Sequence, residues 1–257
     1  MKRLAGVSIF ASVLAHAVVG HSGGWLAAFQ PNPPTISGES ADELYRQRED
    51  LASAKRAAEI WSSGAGTDFE AAWKLARAAY WLGGHAPEAE RRAMLDRGVT
   101  AGEAAVRLGP DRPEGHYWLA ADMGALAEGF GMGQGVKYRS RIKSELERVA
   151  AIDDKWEQAS AVTALGRWYY LVPRLFGGSR SKADEHYRRA LDAFPQSVTA
   201  LYFLAESLVA QHRTPEARQL LQRVQDVPAE AEWVPEVRDF KRKGVDLLRT
   251  LPRAAEP

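Results

Sequence analysis

One fifteen-residue stretch, SKADEHYRRALDAFP at positions 181–195, constrains this chain more than any other. Ala183, Tyr187, Ala190 and Pro195 stand at intervals of four, three and five. The first three therefore share one face of an α-helix, and the proline ends it. A face built from alanines buries little by itself and holds only if another helix comes very close. The pattern returns in PEARQLLQRVQDVP, with Ala217, Leu221, Val224 and a proline one residue early at Pro228. IKSELERVAAIDD repeats it with Ile142, Leu146, Val149 and Asp154, and GEAAVRLGP keeps only its end, Ala105 and Pro110. Each of these helices follows another that carries a leucine next to a small residue: Leu75-Ala76, Leu119-Ala120, Leu165-Gly166 and Leu204-Ala205. The small residue admits a neighbouring backbone and the leucine fills the gap beside it. That is the chemistry of stacked helical hairpins.

No run of alternating β-branched residues argues for strands after position 41. The expectation is an all-α chain, a solenoid of about four to five hairpins with lengthened loops and a C-terminal capping helix. The four leucines lie 44, 46 and 39 residues apart, against about 34 for the common helical-hairpin repeat, so the excess goes into loops or helix ends. GFGMGQG at 129–135 is one such place. It fits neither register of a dinucleotide fingerprint, it follows a helical segment, and no lysine-serine pair follows it, so it reads as an elbow. ADELYRQREDLASAKRAAEIW at 41–61 reads as one helix with Leu44, Leu51, Ala54, Ala58 and Trp61 on its apolar stripe. VPEVRDFKRKGVDLLRTL, ending at position 251, reads as the cap, with Val237, Phe240, Val245 and Leu248 inward.

The amino terminus has the form of an export signal: Lys2 and Arg3, an apolar run from Leu4 to Ala15, then small residues. The expected organisation is a signal peptide at 1–22, a proline-rich linker at 23–40, a helical domain at 41–252 and a disordered tail at 253–257. The implied location is periplasmic or secreted. An uncleaved membrane anchor is the alternative, and membrane contact is expected only in that case. With 34 basic against 33 acidic residues the chain lacks the basic excess that nucleic acid demands. No cysteine is present, which excludes disulfides, thiolate metal sites, a cysteine nucleophile and a lipoprotein anchor.

Catalytic constellations are weak. His85, His116, His186 and His212 have no second histidine at metal-binding spacing, so no metal or cofactor is expected. SRSK at 179–182 has the form S-x-x-K, but neither S-D-N nor K-T-G occurs. Ser181 three residues before Asp184 reads as a capping box, with Ser179 as another cap. Glu70 and Asp122 are the acidic pair a hydrolase would need, although nothing in the sequence brings them together. The basic run KYRSRIK, with Glu145 and Glu147 just after it, reads as a self-paired helix face.

Over 183–195 the chain resembles the tetratricopeptide repeat family. EGHYWLA at 114–120, ALGRWYY at 164–170 and LFGGSRSKADEHYRRAL at 175–191 further resemble a subfamily of exported bacterial helical-repeat proteins. That subfamily includes the T component associated with TRAP transporters, and the eukaryotic regulators of microtubule dynamics are similar to it. The resemblance covers roughly residues 40–226. It implies a compact α-solenoid with a groove or central pore that binds rather than catalyses, taking a protein partner, such as a periplasmic solute-binding protein, or a small hydrophobic ligand. In such a solenoid the first helix of each hairpin lines the concave side. The stripe beside the leucine-small pair then becomes the candidate groove: Trp73, Arg77 and Tyr80; Tyr117, Ala121 and Gly124; Thr163, Arg167 and Tyr170; Tyr202, Glu206 and Val209. Arg174 and Arg180, flanking the LFGGS connection, are candidates to meet a carboxylate ligand at the groove mouth. The function expected is that of an exported non-enzymatic binding protein, alongside a TRAP-type uptake system, with a structural envelope adaptor and a cell-envelope hydrolase as alternatives.

Overall fold

The structure is a computed structural model that describes residues 40–252. The expected signal, the linker apart from its last residue, and the tail lie outside the described residues. Eleven α-helices and no strand occur among these residues: α1 (Ala41–Arg46), α2 (Leu51–Ser62), α3 (Phe69–His85), α4 (Glu88–Leu108), α5 (Pro113–Gly129), α6 (Met132–Ile152), α7 (Trp156–Leu171), α8 (Arg180–Ala193), α9 (Val198–Ala210), α10 (Thr214–Asp226) and α11 (Val234–Thr250). Four full hairpins, α3/α4, α5/α6, α7/α8 and α9/α10, stack one on the next. The short pair α1/α2 precedes them, and α11 covers the last hairpin by packing on α9 and α10.

The alanine face does what its spacing predicts. Ala183, Tyr187 and Ala190 of α8 are all fully buried, as are Ala217, Leu221 and Val224 of α10. Gly166 of α7 shows how close the helices come, since a Cβ there would sit 2.6 Å from the buried ring of Tyr187. Gly166→Ala is therefore expected to cost about 1–3 kcal/mol through overpacking. Urea unfolding of that variant with an unchanged midpoint would show that the α7–α8 contact is not tight.

Several local expectations need correction. The segment 41–61 is two helices, because Asp50 takes the N-terminal cap of α2, accepting from the backbone N–H groups of Ala52 and Ser53. Ser179, not Ser181, caps α8 by accepting from the Lys182 N–H, while Asp184 turns inward to accept from Ser207 and Gln211. The glycine elbow is only Phe130 and Gly131, with Gly131 at φ 90°, a conformation open to glycine. Gly133 and Gly135 belong to α6, so the extra length of this hairpin sits in its helix end. Val245 is only half-buried in the cap, and Gly244 makes the close approach instead, toward Val224 and Gln225.

The superhelix closes on itself. Arg48, in the break between α1 and α2, reaches across the molecule to the other end of the chain. Its Nε donates to Glu236 at 2.9 Å, and its Nη2 donates to the Glu232 carbonyl and the second Glu236 oxygen. Arg77 of α3 meets Glu232 at 3.1 Å, His85 meets Asp239 at 2.9 Å, and Arg238 meets Glu49. The first hairpins and the final helix thus join into a ring.

Candidate functional site

Inside this ring lies a cavity of about 1440 Å³, lined by α3, α5, α7, α9 and α11, with part of α6. First helices of the hairpins thus form most of its wall, as the solenoid geometry dictates. Most of the wall is apolar, and its aromatic rings form two clusters. Tyr80 packs on Trp118 at 5.7 Å, Tyr117 on Trp118 at 5.1 Å and on Trp156 at 5.0 Å, and Phe240 on Tyr202 at 5.5 Å and Phe203 at 5.6 Å. Burial pushes the Tyr117 hydroxyl up to about 12 and raises those of Tyr80 and Tyr202 as well. The phenols thus stay neutral at ordinary pH.

A buried charged cluster is set into the wall. Arg167 of α7 is buried and pairs with Glu206 of α9 through Nη1 and with Glu128 of α5 through Nη2, the latter at 3.5 Å. Its guanidinium lies 5.2 Å from the centres of both Tyr170 and Phe203. Burial works against the Arg167 charge, but Glu128 and Glu206 outweigh it, and its pKa rises. Lys243 of α11 faces the same region, with its pKa pushed down by burial. Arg167 Nε and the Thr163 hydroxyl one turn earlier are both buried without a hydrogen-bond partner, and both residues line the cavity. Both atoms are sealed behind the wall rather than open to the cavity, so the polar character of this spot comes from the Arg167–Glu206–Glu128 cluster itself.

At the start of α7, Glu157, Gln158 and Ala159 take φ of 46°, 57° and 58°, in the left-handed region that L-residues avoid. Such strain concentrates at functional segments, and Trp156, Glu157, Gln158 and Ser160 all line the cavity.

The structure brings together only part of the stripe read from the sequence. Tyr80, Tyr117, Ala121, Gly124, Thr163, Arg167, Tyr202 and Glu206 line the cavity. Trp73, Arg77, Tyr170, Val209 and Arg174 do not. Trp73 donates to Glu70, and Arg77 is held between Tyr45 and Trp73 at the ring closure. Tyr170 backs the α9 core, and Arg174 is exposed in a short 3-10 turn at Arg174–Phe176. Sequence reasoning missed Glu128, although it continues the Tyr117, Ala121, Gly124 stripe by one more step of four. It also missed Lys243 and Phe240 as wall residues, because the amphipathic pattern of α11 presents it only as a cap.

The remaining sequence candidates serve packing. Glu70 bonds Trp73 and Arg112 at the start of α3, whereas Asp122 is wholly buried against Gly98 of α4, so they form no acid–base pair. His116 is buried between Glu145 and the Pro110 carbonyl, and its bond to Glu145 raises its pKa. His186 stacks on Tyr169 at 5.3 Å, its pKa lowered by burial. Among the described residues no group of three or more His, Asp or Glu is placed to hold a metal ion. In the basic run of α6, Arg141 pairs with Glu103 and Glu145, and Lys143 pairs with Glu147.

Residues 38–180 match a family model described as "Regulator of microtubule dynamics protein 1-3", and residues 178–238 match a tetratricopeptide repeat model. A curated relative, "Regulator of microtubule dynamics protein 3" of Rattus norvegicus, is 28% identical over 137 residues. The match spans 53% of this chain but only 29% of that relative's length. Among solved structures, a thermophilic TPR protein of Thermus thermophilus superposes with a TM-score of 0.60 over 82% of this chain and 100% of its own. At 19% identity that likeness speaks to the fold alone: a tetratricopeptide-like helical-repeat protein.

Proposed function

The chain belongs to the family of regulator of microtubule dynamics proteins 1-3, and from that premise we propose that it is a non-enzymatic binding protein enclosing an elongated, mainly apolar ligand within its ring of helices. The cavity carries this reading. At about 1440 Å³ it exceeds the roughly 300–1,000 Å³ of an ordinary small-molecule site. Its wall is mainly apolar and carries clustered aromatic rings, and Arg167 with Glu128 and Glu206 sets a charged cluster into it. An amphiphile suits such a wall: an apolar body along Tyr80, Tyr117, Trp156, Tyr202 and Phe240, and a polar head beside the Arg167–Glu206 pair and Lys243. A cavity encircled by helices with a mainly apolar wall supports ligand capture over peptide capture.

Gly124 provides the test. It lines the cavity in mid-α5, and a Cβ built there meets nothing within 4 Å. Gly124→Phe is therefore expected to fill part of the cavity while keeping the helix, gaining about 0.5 kcal/mol from the lost glycine. An apolar fluorescent probe, N-phenyl-1-naphthylamine, should bind about tenfold more weakly to this variant at an equal or higher melting temperature. Equal probe binding by variant and parent would remove the cavity from the account.

The finer parts of the proposal rest on the sequence. The signal-like start supports export, and the resemblance to the T component of TRAP transporters supports contact with a periplasmic solute-binding protein on the outer faces of the repeats. Cross-linking in envelope extract tests this, and failure to recover any solute-binding protein counts against it.

A further inference from the structure

Large apolar side chains left in solvent are concentrated in one region. Among the described residues they are Ile60, Leu108, Met132 (88% exposed), Val136 (69%), Leu171 (41%), Leu175 (87%) and Phe176 (48%). The last five come from two neighbouring connections: the first turn of α6 after Gly131, and the end of α7 with the turn Arg174–Phe176 that follows. The two connections touch, since the Arg139 guanidinium lies 4.8 Å over the Phe176 ring and Trp168 Nε1 donates to the Arg139 carbonyl at 2.9 Å. Met132, Val136, Leu171 and Phe176 also line the cavity, so the patch is continuous with its interior.

Charge on this face has one sign. Residues 129–144 and 158–183 contain no Asp or Glu, although the whole chain holds 34 basic against 33 acidic residues. Arg141 and Lys143 are answered by glutamates further along α6. Lys137, Arg139 and Arg174 form no ion pair among the described residues; Lys137 meets only the ring and hydroxyl of Tyr138, and Arg139 the ring of Phe176.

We propose that this face docks the protein on a bilayer with anionic headgroups. Met132, Leu175 and Phe176 enter the acyl boundary, and Lys137, Arg139 and Arg174 sit at the phosphates, which sets one side of the cavity against the membrane. The shape of the patch favours lipid over an acidic protein. Its outermost apolar residues, Met132 and Leu175, project from two turns and are nearly free of neighbours, whereas a protein anchor needs a shaped pocket opposite each side chain. A bilayer accepts protruding aliphatic and aromatic side chains without a matching shape, and basic residues add attraction to an anionic surface. Such clusters of exposed apolar residues mark interaction sites. The docking surface stands whether or not the cavity holds a ligand.

Co-sedimentation and hydrogen–deuterium exchange on the full chain test this. The vesicles are phosphatidylcholine with phosphatidylglycerol, against phosphatidylcholine alone. Any contribution of the amino-terminal segment is common to every variant, so the comparison isolates the face. Leu175→Asp with Phe176→Asp, and separately Lys137→Glu with Arg139→Glu and Arg174→Glu, should each weaken binding to the anionic vesicles about tenfold or more. Lys137, Arg174, Leu175 and Phe176 are exposed and Arg139 is half-buried, and the helical circular dichroism should stay unchanged. In the parent chain, the peptides covering 130–139 and 171–178 should gain protection on anionic vesicles. Unchanged binding by both variants, or no added protection of those peptides, overturns the proposal. Protection by polyglutamate but not by vesicles assigns the face to an acidic protein and overturns it too. Concentration-dependent dimerisation abolished by Leu175→Asp assigns it to a second copy of the chain and overturns it, and so does strong protection before vesicles are added, which means that another part of the chain already covers the face.

Discussion

Arg48→Met is expected to lower the stability of the folded chain by about 3 kcal/mol and to open the ring. Arg48 is 1% exposed. Its guanidinium donates to both oxygens of Glu236, to the Glu232 carbonyl and to the Tyr45 carbonyl, and it lies over the rings of Tyr45 and Trp81. Methionine keeps most of the volume and none of the donors, so Glu236 is left half-buried without its partner. Removing one member of a buried ion pair costs about 3–5 kcal/mol. The Glu236 side chain keeps 27% of its exposure, which puts the expectation at the lower end. Urea unfolding measures the loss, and small-angle scattering should report a larger radius of gyration as the ends separate. Replacing both residues, Arg48→Met with Glu236→Leu, should recover much of the stability, because well-packed apolar pairs often match buried ion pairs. A single variant within about 1 kcal/mol of the parent would mean that the ends are held by apolar contact alone.

The hairpins were legible because their information is local. Four positions at helical spacing identify the second helix most clearly at 183–195, and the leucine-small pairs place the first helices. Ala183, Tyr187 and Ala190, chosen on spacing, are all completely buried. Helix ends were less legible, since Asp50 and Ser179 won their caps over neighbours with equal propensity. The ring closure could not be read at all. Arg48 and Glu236 are 188 residues apart, and in the sequence each resembles any charged side chain on a solvated helix. The same gap explains the divided stripe. Helical period says which side of α3 faces inward, but only the superhelix says which turns of α3 look into the cavity. Trp73 and Arg77 sit nearer its amino end and were taken up by the closure, while Tyr80 and Trp81, further along, reach the interior.

The closure and the cavity are one physical fact. An open solenoid would expose the aromatic stripes of α3, α5, α7 and α9 to water. Joining the ends through Arg48, Arg77 and His85 covers them with α11, whose Val237, Phe240 and Leu247 complete the wall. Loss of the Arg48 bonds should therefore weaken probe binding as well as stability, whereas Gly124→Phe should weaken binding alone. That contrast separates damage to the container from occupation of its contents.

The second large effect is expected to depend on pH. Asp122 of α5 is 0% exposed, both its carboxyl oxygens lack a hydrogen-bond partner, and a Cβ on Gly98 of the facing α4 would fall 2.4 Å from its carboxyl carbon. Burial pushes its pKa well above the ordinary carboxylate value. With the folded pKa raised, the group favours folding fully only below the unfolded-state pKa of about 4, where both states hold the proton. Above it the unfolded chain ionises freely while the folded chain must keep the proton or bury a charge. Stability therefore falls as pH rises, by up to about 1.4 kcal/mol per pH unit, until the folded pKa is reached. Asp122→Asn keeps the shape and removes the titration. Its stability relative to the parent should be nearly equal at pH 4 and then climb steadily, so that the variant is the more stable protein at pH 7. Unfolding curves of the pair across that range decide the matter, because every other titrating group cancels in the difference. A flat difference would mean that Asp122 ionises in the fold and that some unseen cation or solvent answers it. A rising one identifies a protonated acid sealed between α4 and α5, behind the helix that carries Tyr117, Gly124 and Glu128 into the cavity.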